Sequence, residues 1–289
     1  MRKFFCLILA VTMVFSMAAV FTACGGNDGG ADVSGDANGD GNGFEIPNPI
    51  IAGVTRFEPM NYLDASGNWT GFDTEFAQEV AKRLGTEVEF QEIVWANKFL
   101  ELDSGAITVI WNGFTANSYE GDTGIPRSDF SDMSYAYLTN QQSLVVRAER
   151  VSEFTSRDDV VGKTLAAESG SAGETQARRF VGEDGSVIGV PAQIDTFIEV
   201  ASGAVDAAVI DILLANRLAD SPDFAGLAVA NFVLNNEVYA IGFRKGDPLR
   251  LEINRVMREM YEDGTLMAIA ERYGLEDKLI LEEEIRPIL

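Results

Sequence analysis

From residue 50 onward, short β-branched runs alternate with stretches whose apolar residues recur every three or four positions, the pattern of strands alternating with amphipathic helices. Ile50-Ile51-Ala52-Gly53-Val54 reads as a buried strand, and Pro59 keeps the loop from Thr55 to Met60 out of helix. A helix is predicted from Asp73, with that Asp as cap, Glu75 in the first turn, Lys82 and Arg83 in the last, and Gly85 as the stop. Phe76, Val80 and Leu84 give it one apolar face. Val88 to Phe90 restarts a strand, Val94-Trp95 opens a helix that runs to Ser104-Gly105, and the next strand delivers Trp111-Asn112-Gly113-Phe114-Thr115.

The second half has the same rhythm. Gln142 to Arg147 is extended, and Gly162 to Ala167 starts a strand that ends in the turn Ser169-Gly170-Ser171 and a helix from Glu174 to Phe180. Val187 to Val190 is a further strand, and Ile194 to Ala201 a helix feeding Ser202-Gly203-Ala204-Val205-Asp206-Ala207-Ala208-Val209-Ile210-Asp211. That phrase echoes Ser104-Gly105-Ala106-Ile107-Thr108-Val109-Ile110, so two similar α/β lobes are expected rather than one large core. In an open α/β sheet ligands sit outside the carboxyl ends of strands, which makes Asp211 the first candidate contact. Val238 to Arg244 reads as a return crossing. Asp247-Pro248 then starts a helix with Leu249, Ile253, Val256, Met257 and Met260 on one face, and Thr265 starts another that reaches Tyr273-Gly274. Two crossings between two lobes make a hinge.

Composition narrows the chemistry. With 45 acids against 22 bases, the 289-residue chain has a net charge of -23, which repels phosphate backbones and argues against nucleic acid as a partner. The chain contains no His, and its two Cys are Cys6 and Cys24, so zinc sites built on these residues and Ser-His-Asp or Cys-His catalysis are excluded, and no cofactor is expected. Arg2-Lys3 followed by the apolar run from Phe4 to Val20 reads as a signal peptide over residues 1–23. Its end, Phe21-Thr22-Ala23-Cys24, resembles the bacterial lipoprotein signal, which implies lipidation of Cys24, although Phe21 stands where Leu is usual. Residues 24–43, almost all Gly, Asp, Asn, Ala and Ser beyond Cys24, have the composition of a flexible linker.

Several fragments resemble a known family in order and spacing: Phe57-Glu58-Pro59-Met60, Gly71-Phe72-Asp73, Leu102-Asp103-Ser104-Gly105, Trp111 to Thr115, Asp129-Phe130-Ser131, Ser202 to Ala207, Ile241 to Asp247, and Asp263-Gly264-Thr265-Leu266. From about Ile50 to Gly274 the chain resembles the family 3 extracellular solute-binding proteins, the amino-acid receptors of ABC importers. The resemblance implies an α/β, two-lobed periplasmic-binding-protein-like fold (type II) with a two-strand hinge, lobe 1 being residues 44–140 plus 238–289 and lobe 2 residues 141–237. It also implies a monomer outside the cytoplasm, tethered through Cys24, that passes a small polar amino acid or amine to permease and ATPase subunits. Phe57 and Trp95 would flank the ligand side chain, Asn112, Gly113 and Thr115 would take its carboxylate with Ser171 and Ala172, and Asp211 its ammonium. Each has a plainer reading beside it: core aromatics, a helix cap at Ser171, a solvated loop end at Asp211.

Three positions depart from the family pattern. Glu120 stands where a carboxylate-clamping Arg is usual, the stretch from Thr115 to Phe130 is longer than the family's, and Thr108 replaces an Asp. Arg127 either folds back as the clamp or pairs with Asp129 or Glu120 at the surface. Two other functions stay open: an extracytoplasmic enzyme of the dehydratase kind on the same fold, with Glu168 or Glu174 as acid, and a binder of a cationic amine lacking a free carboxylate. A signalling sensor would need a second membrane span, which the sequence does not contain.

Overall fold

The computed structural model describes residues 44–121, 123–219 and 221–287; the candidate signal peptide, Cys24 and the Gly-rich linker lie outside the described residues. Strand β1 (Ile50–Val54) leads through a small hairpin, β2 (Tyr62–Leu63) and β3 (Trp69–Thr70), into helix α1 (Phe72–Leu84) and then β4 (Val88–Glu92). Helix α2 (Lys98–Ser104), β5 (Val109–Ile110), β6 (Asp132–Met133) and the long β7 (Ala136–Arg147) follow. The chain then builds β8 (Thr164–Glu168), α3 (Ala172–Val181), β9 (Ser186–Val190), α4 (Gln193–Ser202), β10 (Ala207–Asp211) and α5 (Ile212–Ala219). It returns along β11 (Leu227–Tyr239) to β12 (Gly242–Phe243), α6 (Leu249–Glu262), α7 (Thr265–Arg272) and β13 (Leu279–Glu282).

These strands form the sheets of a two-lobed α/β fold. The first sheet has the order β4-β1-β5-β12-β6, and the second β11-β7-β10-β8-β9 with β13 on β7. In each, three parallel strands have the earliest in the middle: β1 lies between β4 and β5, and β8 between β9 and β10. The chain leaves that strand to one side and returns on the other, and the reversal opens a crevice at the carboxyl ends. Strands β7 and β11 run antiparallel from the Leu138–Tyr239 pair to the Arg147–Leu227 pair, with register shifts between Val229 and Asn235, and form the double crossing.

The repeated Ser-Gly-Ala phrase ends equivalent helices. Gly105 and Gly203 are the left-handed caps of α2 and α4, at φ 78° and 79°, a conformation open to Gly at little cost. Each Ser hydroxyl donates to a carbonyl three residues back, Ser104 to Glu101 at 3.1 Å and Ser202 to Glu199 at 3.0 Å. Each also accepts from the Ala amide two residues on, at 3.4 Å and 3.3 Å. The sequence echo is thus a repeated hydrogen-bonded stop signal that launches the third strand of each lobe.

Three expectations are corrected. Helix α1 begins at Phe72 with Gly71 as its cap, so Asp73 is not the cap. Its side chain is instead fully buried, and Oδ2 accepts from the Gly113 amide at 2.7 Å and the Tyr137 hydroxyl at 3.0 Å. The run after Ser104-Gly105-Ala106 pairs as strand only at Val109–Ile110, because the Thr108 hydroxyl takes the Ile51 amide at 3.1 Å in place of a ladder carbonyl. Helix α5, which the pattern did not announce, continues the apolar stretch of β10 without a break, leaving no stop signal to mark the change from strand to helix.

An aromatic cluster fixes α1 against the first lobe's inner wall. Phe76 meets Trp111 edge-on at 5.1 Å and Tyr137 at 5.5 Å, while Phe72 stacks on Tyr137 at 6.0 Å between ring centroids. Because Phe76 is fully buried among rigid rings that cannot close the gap, Phe76→Ala is expected to lower the unfolding free energy by about 3–5 kcal/mol in urea denaturation. A loss below about 1 kcal/mol would show that the cluster is loosely packed.

Candidate functional site

The loop after β5 and the carboxyl ends of β8 and β10 converge on one enclosed cavity of about 10 Å³. Its wall carries Trp95, Asn112, Gly113, Thr115 and Arg127 from the first lobe and Ser171, Ala172 and Asp211 from the second, with Glu168 and Gln193 beside them. Phe57 lies one layer behind: it is buried against Gly113 and sits edge-on to Tyr239, 6.3 Å between centroids.

The Asn112 to Thr115 loop is held from within. Asn112 Oδ1 accepts from the Thr55 hydroxyl at 2.7 Å, and its Nδ2 donates to the Thr55 carbonyl at 3.0 Å and to Asn61 Oδ1 at 2.7 Å. The Gly113 amide is taken by Asp73, and the Thr115 hydroxyl donates to Glu237 Oε2 at 3.1 Å. In this closed arrangement, then, two donors expected to face a ligand carboxylate are already engaged inside the protein.

Arg127 combines the two fates that its sequence position left open. It is fully buried and lines the cavity, yet its Nε also donates to Glu120 Oε2 at 3.3 Å. One terminal nitrogen donates to the Thr115 carbonyl at 3.0 Å and the other to the Gly170 carbonyl at 2.9 Å, with the guanidinium 5.2 Å from the Phe114 ring centre. Three of its five N–H groups are thereby used, and two remain. Glu120 Oε1 accepts from Lys98 Nζ at 2.7 Å, and Lys98 also donates to the Gly170 carbonyl at 2.9 Å. Glu120 is therefore the shared counter-ion that lets two cations sit buried side by side. Burial, and next the neighbouring Arg127, push the Lys98 ammonium down to about 8 against the pull of Glu120. Gly170, at φ 75°, comes so near the first lobe that a Cβ would stand 2.9 Å from Ala96 Cα, which makes this approach of the lobes depend on Gly.

On the second lobe, Ser171 Oγ accepts from the Glu174 amide at 3.0 Å and caps α3. Its hydroxyl hydrogen and the first amides of α3, which have no partner within the helix, point the positive end of that helix at the cavity beside Ala172. Asp206 accepts from the Thr164 amide at 2.9 Å and from Arg150 at 2.8 Å, holding strand ends together away from the cavity.

Acids dominate the rest of the wall. Asp211 Oδ1 accepts from Tyr239 Oη at 2.6 Å, Asn140 Nδ2 at 2.5 Å and Gln142 Nε2 at 3.1 Å. The same two amide nitrogens donate to Glu237 Oε2 at 3.0 Å, so two buried carboxyls share their donors. Burial first, and then the nearby Glu237, raise the Asp211 carboxyl above its ordinary range, while the Tyr239, Gln193 and Asn140 hydrogen bonds oppose them. Glu168, 2% exposed, has an Oε1 with no hydrogen-bond partner. Burial, and next Asp211, push it up to about 8, against Lys98 and Arg127.

Lys98, Glu237, Asn140, Gln142 and Gln193 are site residues that the sequence reading did not select. Lys98 had a signal, since it lies three residues after Trp95 and four before Leu102, on the buried face of its helix. Glu168, selected only as a candidate acid of the enzyme reading, had a signal as a cleft residue too, because the rule that selected Asp211, an acid at the carboxyl end of a strand, applies to it equally. Glu237, Asn140 and Gln142 lie mid-strand in β11 and β7, where polarity alone reads as a solvent face.

The model of the bacterial extracellular solute-binding proteins, family 3, matches residues 50–276. The chain is 30% identical over 274 residues to the L-cystine-binding protein TcyA of Bacillus subtilis, covering 93% of this chain and 97% of that one. It is 26% identical over 281 residues to the arginine-binding extracellular protein ArtP of the same organism, covering 96% and 100%. Among solved structures, an ancestral arginine-binding protein bound to arginine superposes with a TM-score of 0.72 at 28% identity, covering 79% of this chain and 99% of that one.

The buried acids set the pH dependence of stability. Glu168 at about 8 and Asp73 at about 7, the latter raised by burial against its Gly113 and Tyr137 hydrogen bonds, hold protons that the unfolded chain releases near 4.5 and 3.8. Between those limits the folded state binds more protons than the unfolded one, so stability falls as pH rises from about 5 to about 8. Above that, Lys98 at about 8 has lost a proton that the unfolded chain keeps to 10.5, and its contribution rises again with pH. Urea denaturation of ligand-free protein across this range is expected to show the fall, and Glu168→Gln to flatten it between about pH 6 and 8. A wild-type stability that climbs through that window would contradict these protonation states.

Proposed function

The chain belongs to the bacterial extracellular solute-binding proteins, family 3, and from that premise we propose that it captures a polar amino acid or related amine between its lobes for delivery to an ABC importer. The observation that carries this reading is one cavity with Arg127 on one wall and Asp211 on another. A free amino acid presents a carboxylate and an ammonium, and each needs an opposite charge once water is excluded, or its burial costs several kcal/mol. Arg127, with two unused N–H groups, and the amide end of α3 serve the carboxylate; Asp211 serves the ammonium. Relatives whose names state L-cystine and arginine support an amino-acid ligand.

A cavity of about 10 Å³ has room for about one water, so an amino acid enters only after the lobes part. The paired β7 and β11 are the natural hinge. Contacts that closure makes are Lys98 and Arg127 on the Gly170 carbonyl, the Thr175 hydroxyl on the Tyr119 carbonyl at 3.1 Å, and Arg217 with Glu58 at 2.8 Å. A ligand bridging Arg127 and Asp211 adds to these and shifts the population toward the closed form. In the same reading Cys24 carries the lipid that holds the protein at the membrane, and residues 24–43 give it reach.

We read the site as binding rather than catalysing. Glu174, one of the two candidate acids, is engaged at both oxygens, accepting from the Gly170 amide and from Arg178 at 2.7 Å each. A second binding reading has its own support. Arg127 already makes three hydrogen bonds within the protein, which suits a pocket rebuilt for a cationic amine without a free carboxylate.

A thermal-shift panel of amino acids, amines and short peptides tests the function, because a ligand well above its Kd raises the melting temperature. No shift with any amine-bearing compound would refute it. For the responding amino acid, Asp211→Ala is expected to weaken binding at least about tenfold, roughly 1.4 kcal/mol, with the fold retained. Arg127→Ala is expected to abolish binding, and Arg127→Lys to restore it in part, since Lys lacks the planar fork. Normal binding by Arg127→Ala together with loss in Glu120→Gln would instead select the carboxylate-free amine.

A further inference from the structure

The cavity wall carries one charge more than an amino-acid backbone can use. Arg127 answers an α-carboxylate and Asp211 an α-ammonium, while Lys98 is spent on Glu120 and the Gly170 carbonyl. That leaves Glu168, which lines the same cavity, is almost wholly buried, and has an oxygen without a hydrogen-bond partner. It is the last residue of β8, and β8 pairs in parallel with β10, the strand that ends in Asp211, so both carboxyls leave neighbouring strands toward one space. An unpaired carboxylate inside a closed cleft is costly, and a fold that keeps one there either holds it protonated or supplies a cation.

Resting on the reading of the site as an amino-acid cleft, we infer that Glu168 is a specificity-determining residue that pairs with a second cationic group, so that the ligand class is amino acids bearing a side-chain ammonium or guanidinium. The bookkeeping of charge closes with such a ligand: its carboxylate meets Arg127, its α-ammonium Asp211, and its side-chain cation Glu168. Trp95 lies on the same wall. A neutral amino acid leaves Glu168 without a counter-charge, and the carboxyl keeps its proton. The charged groups around Glu168 are Asp211 and Asp195 on the acidic side and Lys98 and Arg127 on the basic side, so a cation binding there meets a balanced surround until Glu168 ionises. Arrival of the cation therefore expels a proton from Glu168.

The test uses an isosteric pair, L-arginine and L-citrulline, which differ in a guanidinium against a neutral ureido group. Titration calorimetry on the purified protein is expected to show L-arginine bound at least about thirtyfold tighter, and Glu168→Gln to reduce that ratio to about threefold or less by weakening L-arginine alone. In two buffers of different ionisation enthalpy near pH 7, wild type is expected to release more protons on binding L-arginine than on binding L-citrulline, since Asp211 contributes equally to both, and Glu168→Gln to remove that difference. Equal affinities in wild type, or a preference that survives Glu168→Gln, overturns the inference while leaving the amino-acid reading intact. Failure of every amino acid to bind sinks the functional reading instead. Should Glu168→Gln fail to fold, the wild-type ratio and its proton release decide the matter.

Discussion

Ionisable groups withdrawn from water have to be matched, and this protein withdraws five of them at one place. Lys98, Arg127, Glu168, Asp211 and Glu237 are all buried where the lobes meet. Most of the local architecture follows from satisfying them. Glu120 is placed between the two cations, the Gly170 carbonyl is turned to accept from both, and Asn140, Gln142 and Tyr239 supply donors to the acids. Removing one member exposes its partner's desolvation cost, so the cluster behaves as a unit rather than as separate bonds.

The donors to the acids come from the strands that link the lobes. Asn140 and Gln142 lie on β7, and Glu237 and Tyr239 on β11, with Asn140 directly opposite Glu237 across the crossing. The amides that hold the Asp211 and Glu237 carboxyls thus lie on the crossing strand itself. The crossing between the lobes and the polar network therefore meet in the same few residues.

Two side chains satisfy backbone groups at the edges of this site. Between Thr115 and Phe130 the Arg127 guanidinium reaches back to the Thr115 and Gly170 carbonyls, with Glu120 against it. Thr108 turns its hydroxyl to the Ile51 amide just ahead of β5. In both cases a side chain takes up a backbone group that would otherwise lack a partner.

The sequence by itself determined the alternation of strands and helices, the Ser-Gly-Ala stops and the two-lobed α/β class, because periodicity, capping and turn chemistry are local and act wherever the residues occur. It also pointed to Asp211, since an acid at the end of an apolar strand has a fixed place in such a fold. What it did not determine is which polar residues face one another across the cleft. Lys98 looks like a helix-surface lysine, Glu237 and Gln142 like solvent-side strand positions, and Asp73 like a cap, until the lobes close and the long strands cross. Burial, pairing and pKa belong to the contacts made by residues far apart in the chain, 95 positions in the case of Gln142 and Glu237, so only the tertiary structure decided them.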